Sequence, residues 1–325
     1  MSAHARYTID CDPVTPEFTA AYLRVSGGEC AFLETHTSHA LPRLLGALRD
    51  HALSPDDVRW VVITHAHLDH AAGASALLRA CPRATLLAHP RAARHMISPA
   101  KLIAGATAVY GEARFAELYG AIEPIPEARV RALADGESFA LGDATLTVHH
   151  TAGHANHHFV VADPATDTVF TGDAFGLVYP ALQKRGRFAL PSTSPSNFDP
   201  AEARTSLARI LGLGAKIACP THFGPLGDLD EVASQVGALL DRAEGWLDEA
   251  TRGDESVEAM TARLTIAWRD AIADAASARG LAFDAAAFAL LALDIELNAQ
   301  GVAVVAAARR ARQASPKERF GGGAS

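Results

Sequence analysis

The spacing of hydrophobic positions over the first part of the chain predicts short strands separated by helices. Strands are predicted over residues 7–10, 20–25, 30–35, 60–63 and 84–88. Two of them are joined by Ser26-Gly27-Gly28, a hairpin turn sequence. Between the third and fourth strands, residues 38–51 carry leucines at helical spacing. Strands that alternate with helices in this way indicate an α/β fold.

A second group of strands is predicted in the middle of the chain. Its members cover residues 137–141, 144–150, 158–162 and 168–171, and a separate strand is predicted over 217–221. Turn sequences such as Gly142-Asp143 join neighbouring members, which favours hairpins within a second sheet. Helical material is predicted over 91–119, and a further helix begins at Asp199-Pro200.

The C-terminal part of the chain, from Leu229 onward, is rich in alanine and has the spacing of amphipathic helices. Helices are predicted from 229 to about 250, over 255–279 and over 284–312. We therefore expect a main domain over residues 1–250 and a flexible tail over 316–325. Between them, residues 251–315 are expected to cap a cleft or to form the contact of a homodimer.

Composition and charge narrow the class of function. The 325 residues are 49% hydrophobic, enough for a large core, and no apolar run has the length of about 18 residues that spans a bilayer. The net charge of -8 argues against binding to nucleic acid or to an anionic membrane surface, so a small-molecule substrate is expected. The cysteines are scattered and the amino terminus has no hydrophobic signal segment, which favours a cytoplasmic location.

The segment Thr64-His65-Ala66-His67-Leu68-Asp69-His70 carries the strongest chemical signal. It directly follows the predicted strand 60–63. Side chains two positions apart in an extended backbone project to the same side, so His65 and His67 can bind one cation. If a helix begins at this point, Asp69 and His70 are directed toward a second position nearby. One short loop can therefore contribute to two metal sites.

Three further strand ends each carry one residue of a metal-ligating type. His154, Asp173 and His222 all follow a predicted strand, and a glycine or proline near each strand end lets the backbone turn sharply. Each of them taken alone has an ordinary structural explanation. Together with the four residues of the first motif they form a set that is large enough to bind two metal ions.

These motifs resemble the signature of the metallo-β-lactamase-fold hydrolases. Thr64 to His70, Gly153-His154, Gly172-Asp173 and Thr221-His222 match that signature in order and approximate spacing, and the resemblance covers roughly residues 7–250. It implies a four-layer αββα sandwich of the α/β (α+β) class, with a C-terminal helical extension. Within the superfamily the pattern is most similar to a little-characterised group of archaeal and bacterial hydrolases.

The resemblance also implies a role for each candidate ligand. It assigns the first metal to His65, His67 and His154, the second to Asp69, His70 and His222, and the bridging position to Asp173. Two divalent cations about 3.5 to 4 Å apart lower the pKa of a shared water and polarise the group under attack. Zinc suits these ligands best, although iron or manganese also accepts them.

The expected reaction is hydrolysis of a small ester, thioester, lactone, amide or phosphoester by a metal-bridging hydroxide. Asp69 is the expected catalytic residue, because a carboxylate beside the metals can orient the hydroxide and later carry a proton to the leaving group. A different use of the fold is kept as the alternative. In that case the protein is a mononuclear iron enzyme that resembles a persulfide dioxygenase, or a ligand-binding protein with a capped cleft.

The loop after Asp173 is expected to flank the cleft. In it, Tyr179 is a candidate donor to a substrate oxyanion, and Lys184 and Arg187 are candidate contacts for a carboxylate or phosphate. A solvated basic loop beside a packed tyrosine explains the same residues. His158 is predicted to pack against a metal ligand or to fix it in place.

Overall fold

A computed structural model describes residues 4–11, 15–184, 186–193, 195 and 197–314. The described residues form a six-stranded sheet with the order β1-β2-β3-β4-β5-β6 and a five-stranded sheet with the order β11-β10-β9-β8-β7. The strands are β1 (His4–Asp10), β2 (Ala20–Ser26), β3 (Glu29–Leu33), β4 (Val58–Val62), β5 (Thr85–Ala88), β6 (Val130–Ala132), β7 (Ser138–Leu141), β8 (Ala144–His150), β9 (Phe159–Asp163), β10 (Thr168–Gly172) and β11 (Ile217–Pro220).

Helices cover the outer faces of both sheets and form the C-terminal part of the chain. They are α1 (Leu41–Asp50), α2 (Leu68–Ala71), α3 (Ala74–Ala80), α4 (Pro90–Ile97), α5 (Ala100–Tyr110), α6 (Glu112–Tyr119), α7 (Pro200–Gly212), α8 (Leu229–Arg252), α9 (Val257–Ser277), α10 (Ala285–Leu290) and α11 (Ala292–Ala314). None of the described helices is long and apolar enough to cross a bilayer. The cytoplasmic location stays a prediction.

The two sheets pack face to face because their inner faces are apolar, and strands near the centre, such as β4, are apolar on both sides. In β4, Trp60 and Val62 point into a core shared with the second sheet, whereas Val61 belongs to a core beneath α1, α3 and α4. A third core lies between the outer face of the second sheet and the helices from α7 onward. Three cores between four layers confirm the αββα sandwich and its C-terminal helices.

The chain departs from the predicted elements in three places, one of which is the division of the predicted helix 284–312 into α10 and α11 at Leu291. The material predicted over 91–119 is three helices, α4 to α6, because Pro99 interrupts the first junction and Gly111 takes a φ of 76° at the second. The short strand β6 was not predicted from the sequence, since three residues carry too little periodicity to be recognised. β6 pairs with β5 and completes the first sheet.

The C-terminal helices share a core with the second sheet and with the loop that follows β10. Leu264 and Trp268 on α9 and Val302 on α11 pack in the same cluster as Phe175 and Phe188 of that loop. A domain boundary at 250 and a homodimer contact remain predictions. The predicted tail over 316–325 lies outside the described residues.

Candidate metal centre

The ligand-bearing loop leaves β4 and turns directly into a helix. His67 has an extended backbone at the N-terminal cap of α2, so Asp69 and His70 lie in the first turn of that helix. β3, β4 and β5 are parallel, so their carboxyl ends meet at one edge of the first sheet. The loop therefore delivers its side chains to this edge, as the sequence predicted.

Three imidazole nitrogens converge at a first point, which we call the first site. Nε2 of His65 lies 2.9 Å from Nδ1 of His67 and 3.1 Å from Nε2 of His154. The third separation, between His67 and His154, is 3.0 Å. Ligands at about 2.0 Å from a tetrahedral ion lie roughly 3.3 Å apart, so the three nitrogens have close to the spacing of ligands around one ion.

A second site lies next to the first. Oδ2 of Asp69 is 3.3 Å from Nε2 of His222 and 3.5 Å from Nε2 of His70. The ligand atoms of these three residues all lie within 4.8 Å of one another. The second site therefore joins residues that are far apart in the sequence.

Asp173 stands between the two sites, with one oxygen toward each. Its Oδ2 lies 3.5 Å from Nε2 of His154 in the first site, and its Oδ1 lies 3.3 Å from Nε2 of His70 in the second. Nε2 of His222 is 3.8 Å from the same Oδ1. This geometry is what a carboxylate shared by two cations requires. The structure thus brings together all seven predicted ligands.

Two glycines allow the backbone to present His154 and Asp173 at the cleft. Gly153 has a φ of 123°, and a Cβ at this position would collide with the backbone of Ala203. Gly172 has a φ of 51°, and a Cβ there would collide with the side chains of Thr64 and His158. Both backbone conformations are open to glycine and unfavourable for other residues.

The electrostatics differ between the two sites. Burial and neighbouring imidazoles lower the pKa of His65 and His67, so the first site favours neutral rings, which are the form that binds a metal. In the second site burial opposes charge, yet the Asp173 and Asp69 carboxylates raise the pKa of His70 well above its usual range and that of His222 to about 9. A cation bound at the second site would replace these protons.

The residues present fit a pair of divalent cations. Among the described residues, Nε2 of His70 and Oδ1 of Asp173 are buried and make no well-formed hydrogen bond, although they lie 3.3 Å from each other. Buried polar atoms in folded proteins are normally satisfied, and a bound ion would satisfy both of these atoms. The mixed imidazole and carboxylate donors suit zinc, iron or manganese.

The sequence profile of the Metallo-beta-lactamase superfamily matches residues 14–222. The chain belongs to this superfamily. That range contains all seven predicted ligand positions, from His65 to His222. The match confirms the family that the motifs indicated, and the helices from α8 onward lie outside the matched segment.

Curated relatives of this metallo-β-lactamase superfamily protein are distant. The metallo-β-lactamase fold-containing protein ST1585 of Sulfurisphaera tokodaii is 28% identical over 173 residues, which are 52% of this chain and 62% of that protein. An atrochrysone carboxyl ACP thioesterase of Aspergillus fumigatus is 24% identical over 178 residues, 55% of this chain and 42% of its own length. The chain therefore spans about half the length of the curated relatives that it matches.

Solved structures support the fold over a longer range. The archaeal ST1585 structure covers 92% of this chain and 98% of its own, with a TM-score of 0.64 at 22% identity. TTHA1429 from Thermus thermophilus, a metallo-β-lactamase family protein, covers 94% of both chains with a TM-score of 0.61 at 21% identity. The archaeal relative confirms the predicted similarity to an archaeal group. Likeness at this identity establishes the fold.

Two of the candidate ligand histidines are held from behind by hydrogen bonds. Nδ1 of His154 donates to the carbonyl of Ser192 at 3.1 Å, and Nδ1 of His222 donates to that of Phe18 at 3.0 Å. Both bonds leave Nε2 free to accept a cation. Nδ1 of His70 instead faces Oε1 of Glu34 at 3.4 Å.

Glu34 was missed in reading the sequence, although a signal for it exists. It is buried, it has a φ of 68°, and it directly follows β3. Since β3 is parallel to β4, the end of β3 lies at the same edge of the sheet as His65. An acidic residue near the end of the predicted strand 30–35, which neighbours the ligand-bearing strand, could have been recognised as a support for the site.

His158 lies behind the bridging carboxylate. The backbone N–H of Asp173 donates to Nε2 of His158 at 3.4 Å, and Nδ1 of His158 donates to the hydroxyl of Thr151 at 2.8 Å. The His158 ring also lies 4.9 Å from that of His65. This position is suitable for fixing a ligand, and the role itself remains a prediction.

The candidate substrate contacts are engaged in different ways. Tyr179 is buried, and its hydroxyl donates to Oδ1 of Asp294 on α11 at 3.2 Å. Lys184 is exposed, and Nη2 of half-buried Arg187 lies 3.8 Å from Oδ2 of Asp228. The structure thus joins Tyr179 to the C-terminal helices, which the sequence did not predict. Substrate contacts by Tyr179, Lys184 and Arg187 stay predictions.

Proposed function

We propose that this protein is a hydrolase with a dinuclear metal centre that cleaves a small ester, thioester, lactone or phosphoester. The observation that carries the proposal is the position of Asp173. Its two carboxylate oxygens face the imidazoles of two separate ligand groups, at 3.5 Å from His154 and 3.3 Å from His70. A site for a single cation would not need a carboxylate divided in this way.

The chemistry of the pair would be that of two Lewis acids, which lower the pKa of a water nucleophile and polarise the group under attack. Among the chain's own residues, Asp69 is the candidate to accept a proton from the water nucleophile and to carry it to the leaving group. Its side chain is 43% exposed, whereas Asp173 is 5% exposed, so Asp69 lies at the open side of the centre. Burial disfavours its ionised form, but His70 and His222 lower its pKa below its usual range. At neutral pH it is therefore an acceptor that can orient water.

The name of one relative supports thioesters as the first substrate class to be tested. The Aspergillus protein is named as a thioesterase acting on an acyl carrier protein, and it resembles about half of this chain. A thioester carbonyl is a suitable electrophile for this type of centre, because two cations can polarise it while Asp69 orients the nucleophile. We propose a small-molecule thioester as the first candidate, followed by lactones and other esters.

The test combines metal analysis with a panel of substrates. Protein purified without added metal is analysed for zinc, iron and manganese, then assayed at neutral pH with thioesters, lactones, carboxylic esters and phosphodiesters. About two equivalents of metal, zinc foremost, with turnover of one class support the proposal. One equivalent of iron with oxygen consumption on a persulfide would favour the dioxygenase-like alternative. Tight binding of a small molecule without turnover would favour a ligand-binding protein.

A further inference from the structure

The buried face of α11 carries two polar residues among apolar neighbours. Asp294 and Asn298 are four positions apart, so they share the helix face that also carries Ile295 and Val302. Both are at least nine-tenths buried. Buried polar side chains on an apolar face cost free energy unless they are paired, so their partners indicate what they do.

Asn298 forms hydrogen bonds with a short segment of the loop that follows β10. Its Oδ1 accepts from the N–H of Thr193 at 2.7 Å, and its Nδ2 donates to the carbonyl of Pro191 at 2.9 Å. The hydroxyl of Thr193 donates to the backbone carbonyl of Asn298 at 3.0 Å. Three hydrogen bonds, all buried, therefore fix residues 191 to 193 to α11.

Ser192, in the middle of this segment, holds a metal ligand. Its carbonyl accepts the Nδ1 proton of His154 at 3.1 Å. That bond requires the tautomer with the proton on Nδ1 and leaves the lone pair of Nε2 directed at His65 and His67. The position of the Ser192 carbonyl thus sets both the tautomer and the orientation of His154.

We propose that Asn298 is a positioning residue for the first metal, acting through the Pro191–Thr193 segment on His154. The inference rests on the proposed metal centre and gives α11 a role beyond that of a cap or a dimer contact. The contact between Asp294 and Tyr179 is consistent with it, because Val178, which directly precedes Tyr179, donates its N–H to the carbonyl of the candidate ligand His222. The buried face of α11 thus contacts the loop that follows β10 at two points. Asn298 contacts the segment that holds His154 of the first site, and Asp294 contacts Tyr179, which follows the residue bonded to His222 of the second site.

The experiment measures the affinity of each site for zinc and for cobalt by competition with a chromophoric chelator. A His67→Ala variant, which lacks a ligand of the first site, identifies the isotherm of the second. Asn298→Ala is expected to weaken the first site about 10- to 100-fold, as outer partners of metal-bound histidines typically do, and to leave the second unchanged. Gln300→Ala is the matched control. It also removes a side-chain amide from α11, but that amide donates to Glu296 on the same helix and not to the Pro191–Thr193 segment.

Two further measurements separate positioning from general destabilisation. Thr193→Val removes one hydroxyl and keeps the shape of the side chain, so it is expected to fold and to weaken the first site roughly 2- to 10-fold. In the metal-free protein, the ¹⁵N spectrum of His154 is expected to show the Nδ1-protonated tautomer in the wild type. In Asn298→Ala it is expected to show a mixture of tautomers.

The outcomes are distinguishable. Wild-type affinity at the first site in both Asn298→Ala and Thr193→Val overturns the inference, and so does an equal loss in Gln300→Ala. Both of these results concern only the role of Asn298. If the wild-type protein binds two metals and turns over substrate, the proposed function is supported whichever of them is found. A wild-type protein that binds no metal overturns both the inference and the proposed function.

Discussion

Oε1 of Glu34 faces Nδ1 of His70 at 3.4 Å in the interior of the protein. Glu34 is 2% exposed, and the hydroxyl of Thr64 donates to the same oxygen. A carboxylate behind a metal-binding imidazole fixes the ring and increases its basicity. Glu34 thus lies behind the ring of His70, whose Nε2 faces Asp173 on the side where the second cation would bind.

Glu34→Gln is expected to weaken the second metal site about 10- to 100-fold, because the amide keeps the shape but loses the charge that favours the oriented ring. Metal affinity measured by chelator competition checks this. Glu29→Gln is the control, since Glu29 lies at the start of β3 and its carboxylate accepts from the exposed backbone N–H of Gly142. An unchanged second site in Glu34→Gln would show that the contact with His70 is incidental.

Asp173→Ala is expected to reduce metal content at both sites and to lower turnover by about 100-fold or more, because each site loses a ligand oxygen. The far-ultraviolet circular dichroism spectrum should stay that of the wild type. Asp241→Ala, which removes an exposed carboxylate on α8 that pairs with Arg204, is the control and should keep metal and activity. Full metal content in Asp173→Ala would show that Asp173 does not bridge.

Gly153→Ala is expected to destabilise the protein by roughly 1–3 kcal/mol or more, because the φ of 123° is unfavourable for alanine and the added Cβ meets the backbone of Ala203. A thermal melt of metal-free protein measures the loss. Gly105→Ala in α5 is the matched control, because no atom lies near its Cβ position and alanine favours the helix by about 0.5–1 kcal/mol. Equal melting temperatures for the two variants would contradict the prediction.

Asp294→Asn is expected to stabilise the metal-free protein as the pH rises. Burial raises the pKa of Asp294 to about 7, from 3.8 in the absence of such effects. Between these values the unfolded chain loses the proton while the folded chain keeps it, so the wild type loses stability with increasing pH and the variant does not. The difference should grow from pH 4 to about pH 7, to at most about 4 kcal/mol, and then stay constant.

Denaturant unfolding at several pH values measures this difference. Asp270→Asn, an exposed carboxyl on α9, controls for the loss of one negative charge. A difference between Asp294→Asn and the wild type that does not change from pH 4 to pH 7 would show that the buried carboxyl is not held in its protonated form.

The sequence by itself determined much of the fold. The apolar run of β4 and the alternation of apolar and polar residues in β8 are local patterns that reflect which faces of a strand are buried, so these strands could be located without coordinates. The ligand motif from His65 to His70 was equally readable, because two-residue spacing and a helix start are local features. Short elements without periodicity, such as β6, could not be located from the sequence pattern.

Only the tertiary structure decided how the distant residues combine. The sequence located His154, Asp173 and His222 at strand ends, but the two sheets had to pack before their ligand atoms could meet those of the first motif. Glu34 and Asn298 carry no local signal of comparable strength, since each acts through partners far along the chain. The physical reason is that periodicity records burial, whereas a metal centre and its supports depend on distances between side chains that only the packed layers bring together.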